Sequence, residues 1–129
     1  MKKLPYLFLL LLITFSGCKE AESSKITVIT PEEMQSFLEA DNVQLIDVRT
    51  QEEYNKGHIK GAQNINFFSP TFFDDINKLD KEKPVYLYCN SGKRSANCAE
   101  KMIEIGFVKI YDLEGGFSKW KHEGSEVEK

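Results

Sequence analysis

Pro84-Val85-Tyr86-Leu87-Tyr88-Cys89-Asn90-Ser91-Gly92-Lys93-Arg94-Ser95 carries the fold in miniature. Val85 to Tyr88 are large apolar or aromatic residues in an unbroken run, which reads as a buried strand, and Pro84 punctuates its start. Ser95 to Ile105 then reads as a helix, with Ala96, Ala99 and Ile103 near one face and Gly106 as its stop. Cys89 to Arg94 is the polar turn between them.

Outward from this unit the same alternation repeats. Upstream, Ile26 to Ile29 is a short β-branched strand. Thr30 and Glu33 form a capping box around Pro31, and Met34, Phe37 and Leu38 make one apolar helical face. Val43 to Val48 reads as a buried strand, Glu52 to Lys56 as a short helix stopped by Gly57, and Ala62 to Asn66 as a short strand. Phe72, Ile76 and Leu79 recur at helical spacing. Downstream, Val108 to Leu113 returns as a strand, and Gly115 and Gly116 turn the chain into a last helix holding Phe117 and Trp120. Strands alternating with helices predict an α/β domain with a mainly parallel sheet. Functional groups in such sheets sit at the carboxyl ends of strands, which is where Cys89 falls.

The chain has 129 residues, enough for one domain, and 41% hydrophobic with 29% charged residues is ordinary for a globular protein. The net charge is −3 with no basic block, so nucleic-acid binding has no electrostatic footprint. Cys18, Cys89 and Cys98 lack zinc-type spacing and are too few for a disulfide framework. His58 and His122 lie far apart, and no metal site is expected.

The N-terminus reads as an address. Lys2 and Lys3 precede the almost wholly apolar run Leu4 to Phe15, which is shorter than a membrane-spanning helix needs. Ser16-Gly17-Cys18 follows and resembles the lipobox of bacterial lipoproteins, with Phe15 where Leu is the common choice. The resemblance implies cleavage before Cys18, lipidation of its thiol and a stable anchor. An ordinary cleaved signal peptide or an uncleaved anchor are the alternatives. The expected organisation is therefore a signal peptide over 1–17, a lipidated Cys18 and tether over 18–25, and a domain over 26–122. A charged tail over 123–129, without apolar period, is expected to fray. The domain would then sit outside the cytoplasm, held to the bacterial cell envelope.

The turn after Val85–Tyr88 carries the chemistry. Gly92 permits backbone angles other residues resist, and successive N–H groups in such a turn can point at one centre. The positive end of the following helix adds to that field, and Lys93 and Arg94 add full charges. A cysteine facing it favours its thiolate, so Cys89 is expected to be a nucleophile of lowered pKa. The alternative is a buried core cysteine. Cys98 is expected to be a packed small side chain, with a resolving thiol for Cys89 as the alternative.

The loop resembles the Cys-x-x-Gly-x-Arg-Ser active-site loop of single-domain rhodaneses. Asp47-Val48-Arg49, Glu53-Tyr54, Gly57-His58-Ile59-x-Gly61-Ala62 and Asn64-Ile65 are similar to that family's first signature. Leu113-x-Gly115-Gly116-x-x-x-Trp120 is similar to its closing one. The resemblance implies a rhodanese-like fold, a five-stranded mainly parallel sheet flanked by helices on both faces. It also implies a sulfurtransferase in which Cys89 takes a sulfane sulfur from a small anionic donor such as thiosulfate. A persulfide would then pass it to cyanide or a thiol, with no cofactor. Asn90, Ser91, Gly92, Lys93, Arg94 and Ser95 would hold the persulfide and the donor. Asp47 and Arg49 would brace the site, with Glu53 as a partner of Arg49. Ser95 would cap the helix, while His58 and Trp120 would be structural.

Two rivals belong to other classes. Related phosphatases place five residues between Cys and Arg and need an acid for the leaving group; here four residues intervene and no acid is evident. A binding or redox-sensing module would use the fold without turnover.

Overall fold

The computed structural model describes residues 25–40 and 42–129. The expectations for the signal peptide and Cys18 lie outside these residues. In chain order the elements are β1 (Ile26–Ile29), α1 (Pro31–Leu38), β2 (Gln44–Asp47), α2 (Gln51–Lys56), β3 (His58–Ile59) and β4 (Gln63–Asn64). They continue with α3 (Phe72–Ile76), β5 (Val85–Tyr88), α4 (Lys93–Glu104), β6 (Ile110–Leu113), α5 (Gly116–His122) and β7 (Val127–Glu128).

Five strands form one sheet in the order β1-β6-β5-β2-β4, and every pairing in it is parallel. β5 lies at the centre and all four of its residues are buried, so its sequence shows no alternation. Val85 and Leu87 face a core with Ile76, Ala99, Met102 and Phe107, under α3 and α4. Tyr86 and Tyr88 face the other core, with Met34, Phe117 and Trp120, under α1 and α5. Helices on both faces of a parallel sheet match the expected fold.

Local chemistry sets the helix starts. Glu33 N–H donates to Thr30 Oγ1 at 3.2 Å and Thr30 N–H to Glu33 Oε2 at 2.9 Å, the expected capping box. Thr50 and Glu53 repeat the device at α2. Phe37 lies against Tyr86 and Tyr111 at ring distances of 5.3 and 4.9 Å, yet 38% of it stays exposed, at the rim of its core.

Several boundaries differ from expectation: β2 covers Gln44–Asp47 rather than Val43 to Val48, α2 starts at Gln51, and β6 starts at Ile110 rather than Val108. α4 begins at Lys93, two residues early, because Gly92 rather than a side chain turns the chain into it. β4 spans only Gln63–Asn64, since that is the length that pairs with β2. The tail does not fray: β7 pairs antiparallel with β3, His58 opposite Glu128 and Ile59 opposite Val127. The indole N–H of Trp120 donates to Glu126 O at 2.9 Å and ties the same segment. Neither contact leaves a local periodicity to read.

Candidate active site

β5 delivers Cys89 to the carboxyl edge of the sheet, and α4 carries the chain away from Lys93. Between them Gly92 takes φ 110°, ψ −15°. No atom lies within 4 Å of a β-carbon built there, so the backbone angle, and not space, demands glycine. The turn aims N–H groups at the sulfur. Gly92 N–H donates to Cys89 Sγ at 3.0 Å, and the amides of Ser91 and Ser95 lie near enough to favour its anion. Ser95 Oγ lies 3.4 Å from Sγ and 3.2 Å from Gly92 O. Burial of Cys89 works against its thiolate, but the Ser95 hydroxyl and these three amides outweigh it and hold the thiol below its ordinary range. Cys89 is only 1% exposed and belongs to the core under α3 and α4, while the turn residues Asn90 and Ser91 that follow it are exposed. The sulfur is thus deep, with amides turned toward it.

α5 fixes the turn from behind. Phe117 N–H donates to Cys89 O at 2.8 Å and Ser118 N–H to Asn90 O at 3.1 Å. Gly116, at φ 59°, permits the approach: a β-carbon there would lie 2.6 Å from Cys89 O and 2.7 Å from Asn90 C and O. With two carbonyls held toward α5, the amides that follow can face the sulfur.

Asp47 and Arg49 form a buried pair below the loop. Arg49 Nη2 lies 2.7 Å from Asp47 Oδ2, Arg49 N–H donates to Asp47 Oδ1 at 2.9 Å, and Nη2 also reaches Gly57 O at 2.6 Å. The guanidinium sits 4.1 Å from the Phe117 ring centre, so the pair props the helix that props the loop. Removing one partner would strand a buried charge, at a cost of about 3–5 kcal/mol. The expected bond between Glu53 and Arg49 is not formed. Glu53 instead takes Arg94 as a fork, with Oε1 and Oε2 at 2.7 and 2.9 Å from its two terminal nitrogens. Arg49 points into the core toward Asp47, whereas Glu53 stands in the first turn of α2 facing the loop. The Arg94 guanidinium draws the Glu53 carboxyl down to about 2. The charge of Arg94 is thereby matched at the rim, while Lys93 stays exposed.

Ser95 is buried in the first turn of α4, with its hydroxyl turned to Cys89 and Gly92 O. It does not cap the helix, because Gly92 holds that position. His58 stacks on Tyr54 at 3.8 Å and Trp120 is core. Cys98 is buried against Met102, Sγ to Sδ 3.7 Å, and burial pushes its thiol up to about 12, aided by Asp112 and Cys89. Both cysteines are free. Sequence reasoning missed Asp112. It is 4% exposed on β6, its Oδ1 has no hydrogen-bond partner among the described residues, and burial raises its carboxyl to about 6 against the opposing pull of the Ser95 hydroxyl. A lone acid between Tyr111 and Leu113 in an otherwise apolar strand was the available signal.

A family model described as rhodanese-like domain matches residues 30–123. The thiosulfate sulfurtransferase GlpE of Shewanella oneidensis is 38% identical over 93 residues, 72% of this chain and 89% of that protein. The crystal structure of a rhodanese-like domain protein from Staphylococcus aureus superposes with a TM-score of 0.66 at 35% identity, over 80% of this chain and 99% of that one. A rhodanese-related protein from Thermoplasma volcanium gives 0.70 at 27%, over 79% and 97%.

Proposed function

The chain belongs to the rhodanese-like domain family, and from that premise we propose that it is a sulfurtransferase working through a Cys89 persulfide. The observation that carries the reading is the convergence of the Ser91, Gly92 and Ser95 amides and the Ser95 hydroxyl on Cys89 Sγ. Such a cradle favours a nucleophilic thiolate first and an anionic persulfide afterwards.

In the first half-reaction the thiolate attacks the outer sulfur of thiosulfate. The S–S bond of the donor breaks, its electron pair leaves with sulfite, and the outer sulfur stays on Cys89. In the second, a nucleophile attacks that outer sulfur and the electron pair of the Cys89–sulfur bond returns to Sγ. Sulfite is a stable anion and leaves without protonation, so no general acid is called for. Lys93, at the exposed first position of α4, attracts the anionic donor; Arg94 closes the rim through Glu53. Asp47 and Arg49 act as positioning residues, through Phe117. Treating the purified protein with thiosulfate and weighing it intact should show one added sulfur. The addition and cyanide-dependent turnover should both vanish in Cys89→Ser, by at least about a thousandfold. An unchanged mass after treatment with several donors would overturn the assignment.

The proposal includes a place in the cell. The apolar run Leu4 to Phe15 and the ending Ser16-Gly17-Cys18 support export and a lipid anchor at Cys18. Fatty-acid label should enter the protein in a bacterial host and be absent from Cys18→Ser; equal labelling of both forms would remove the anchor.

A further inference from the structure

One buried charge takes no part in either half-reaction. Asp112 lies on β6 opposite Leu87 of β5 in the parallel register. Side chains at paired positions share a face of the sheet, and Cys89 follows Leu87 by two residues. The Asp112 carboxyl and the Cys89 sulfur therefore stand on the same side, under α4. There α4 sets Ser95, which is fully buried and carries the hydroxyl next to the sulfur.

That hydroxyl has one proton to give. Beside the neutral thiol, Cys89 donates to Ser95 Oγ at 3.4 Å and Ser95 Oγ donates to Gly92 O at 3.2 Å. Once the thiol ionises, its sulfur calls for a donor and not an acceptor. The Ser95 hydroxyl is also the group that favours the Asp112 anion, and Asp112 Oδ1 has no hydrogen-bond partner among the described residues. Gly92 O, the thiolate and the Asp112 carboxylate thus compete for a single hydrogen.

We propose that Asp112 is a positioning residue for Cys89, acting through the Ser95 hydroxyl. Ionised, it draws the hydroxyl proton away from the sulfur. Protonated, it donates its own proton to Ser95 Oγ and leaves the hydroxyl to donate to Sγ. The weight of this for sulfur transfer rests on the sulfurtransferase reading, in which Sγ attacks in one half-reaction and is the leaving atom in the other. Burial holds the Asp112 carboxyl at about 6, so the exchange falls where a thiol of lowered pKa begins to ionise. As the pH climbs through 6, the sulfur gives up the hydroxyl and keeps the Gly92 N–H. The surrounding groups do not interfere with this exchange. Cys98 on α4 faces Asp112 but stays protonated, its thiol pushed up to about 12. Arg94 in the first turn of α4 faces Cys89 and is held by Glu53 of α2, and Asp47 is committed to Arg49. The residues that β5 and β1 set opposite Asp112, Leu87 and Val28, do not titrate.

The rate of Cys89 alkylation by iodoacetamide, followed by intact mass over a pH series on the full chain, tests the coupling without a sulfur donor. The amide of Asp112→Asn can donate to Ser95 Oγ at every pH. It should lower the midpoint of the Cys89 profile by at least about half a unit, about threefold in acid dissociation. On a Ser95→Ala background the same change should move the midpoint less than about half as far. A general loosening of the site would raise the midpoint, the opposite sign. A midpoint that Asp112→Asn leaves in place or raises overturns the inference, and a full shift that survives Ser95→Ala overturns the route through the hydroxyl. Thiosulfate treatment of the unaltered protein runs alongside. A persulfide without the midpoint shift removes the role of Asp112 and leaves the sulfurtransferase. The shift without a persulfide removes the sulfurtransferase and leaves Asp112 coupled to the thiol.

Discussion

Two cysteines nine residues apart lie almost equally deep, Cys89 at 1% exposure and Cys98 at 0%, yet their thiols are driven in opposite directions. Cys98 sits on the sheet-facing side of α4, where every backbone amide is committed to the helix and its neighbours are Met102 and the carboxyl of Asp112. Burial there removes water and offers the anion nothing in exchange, and the thiol rises to about 12. Cys89 sits where a strand has ended and a helix has not begun. There the Gly92 N–H and the Ser95 hydroxyl face it, with the Ser91 and Ser95 amides nearby, and the thiol falls. Depth therefore does not distinguish an inert thiol from a reactive one; the direction of the nearby amides does. Their places in the chain differ as well: exposed turn residues follow Cys89, whereas Cys98 is on the packed face of a helix.

This contrast is most easily broken by alkylation. Iodoacetamide should modify Cys89 at least about a thousandfold faster than Cys98, because Cys98 is exposed only through an unfolding-type opening. The rate at Cys89 should hold to lower pH than for a free thiol, as its lowered pKa demands. Modification of both at one rate would end the distinction. Gly116→Ala sharpens it. The new β-carbon would meet the carbonyls that α5 holds, at 2.6–2.7 Å, so the loop must shift and its amides turn from Sγ. Overpacking and the left-handed angle together should cost about 2–4 kcal/mol in denaturant unfolding. The Cys89 rate should drop about tenfold while Cys98 stays protected. A variant with unaltered Cys89 reactivity would show that α5 does not set the loop.

How far these features could be read in advance follows from how local their causes are. The strand Val85–Tyr88, the turn at Gly92 and the Thr30–Glu33 box are specified within a few residues, and all stood out. The fold followed from their alternation and from the family likeness. Glu53 was visible as a charge but its partner was not, because Arg94 lies 41 residues away and only the packing of α2 against the loop selects it over Arg49. The tail strand escaped for a similar reason: Val127 and Glu128 gain order from β3, distant in sequence, while Trp120 at the end of α5 holds Glu126. Ser95 invited a capping role by its type, and the left-handed Gly92 took that position instead.

Asp112 offers the finest test of the contrast, since it stands on the Cys98 side of Ser95 and is a charge that the interior does not solvate. Its folded pKa is raised to about 6, so the native state binds the proton more tightly than the unfolded chain does. That margin supports the fold in full below about pH 4 and is lost as the pH climbs through 6. Above that, an ionised carboxylate with one unpartnered oxygen remains in the core, at a cost of up to about 3 kcal/mol. Asp112→Asn keeps the shape and removes the charge. It should therefore unfold at higher denaturant than the parent at pH 8, by about 1–2 kcal/mol, with the gap closing toward pH 4. A gap that is the same at both pH values would mean that the carboxyl is not titrating inside the fold. A variant less stable at pH 8 would mean that the charge has a partner, and that Ser95 holds the acid as firmly as it holds the sulfur.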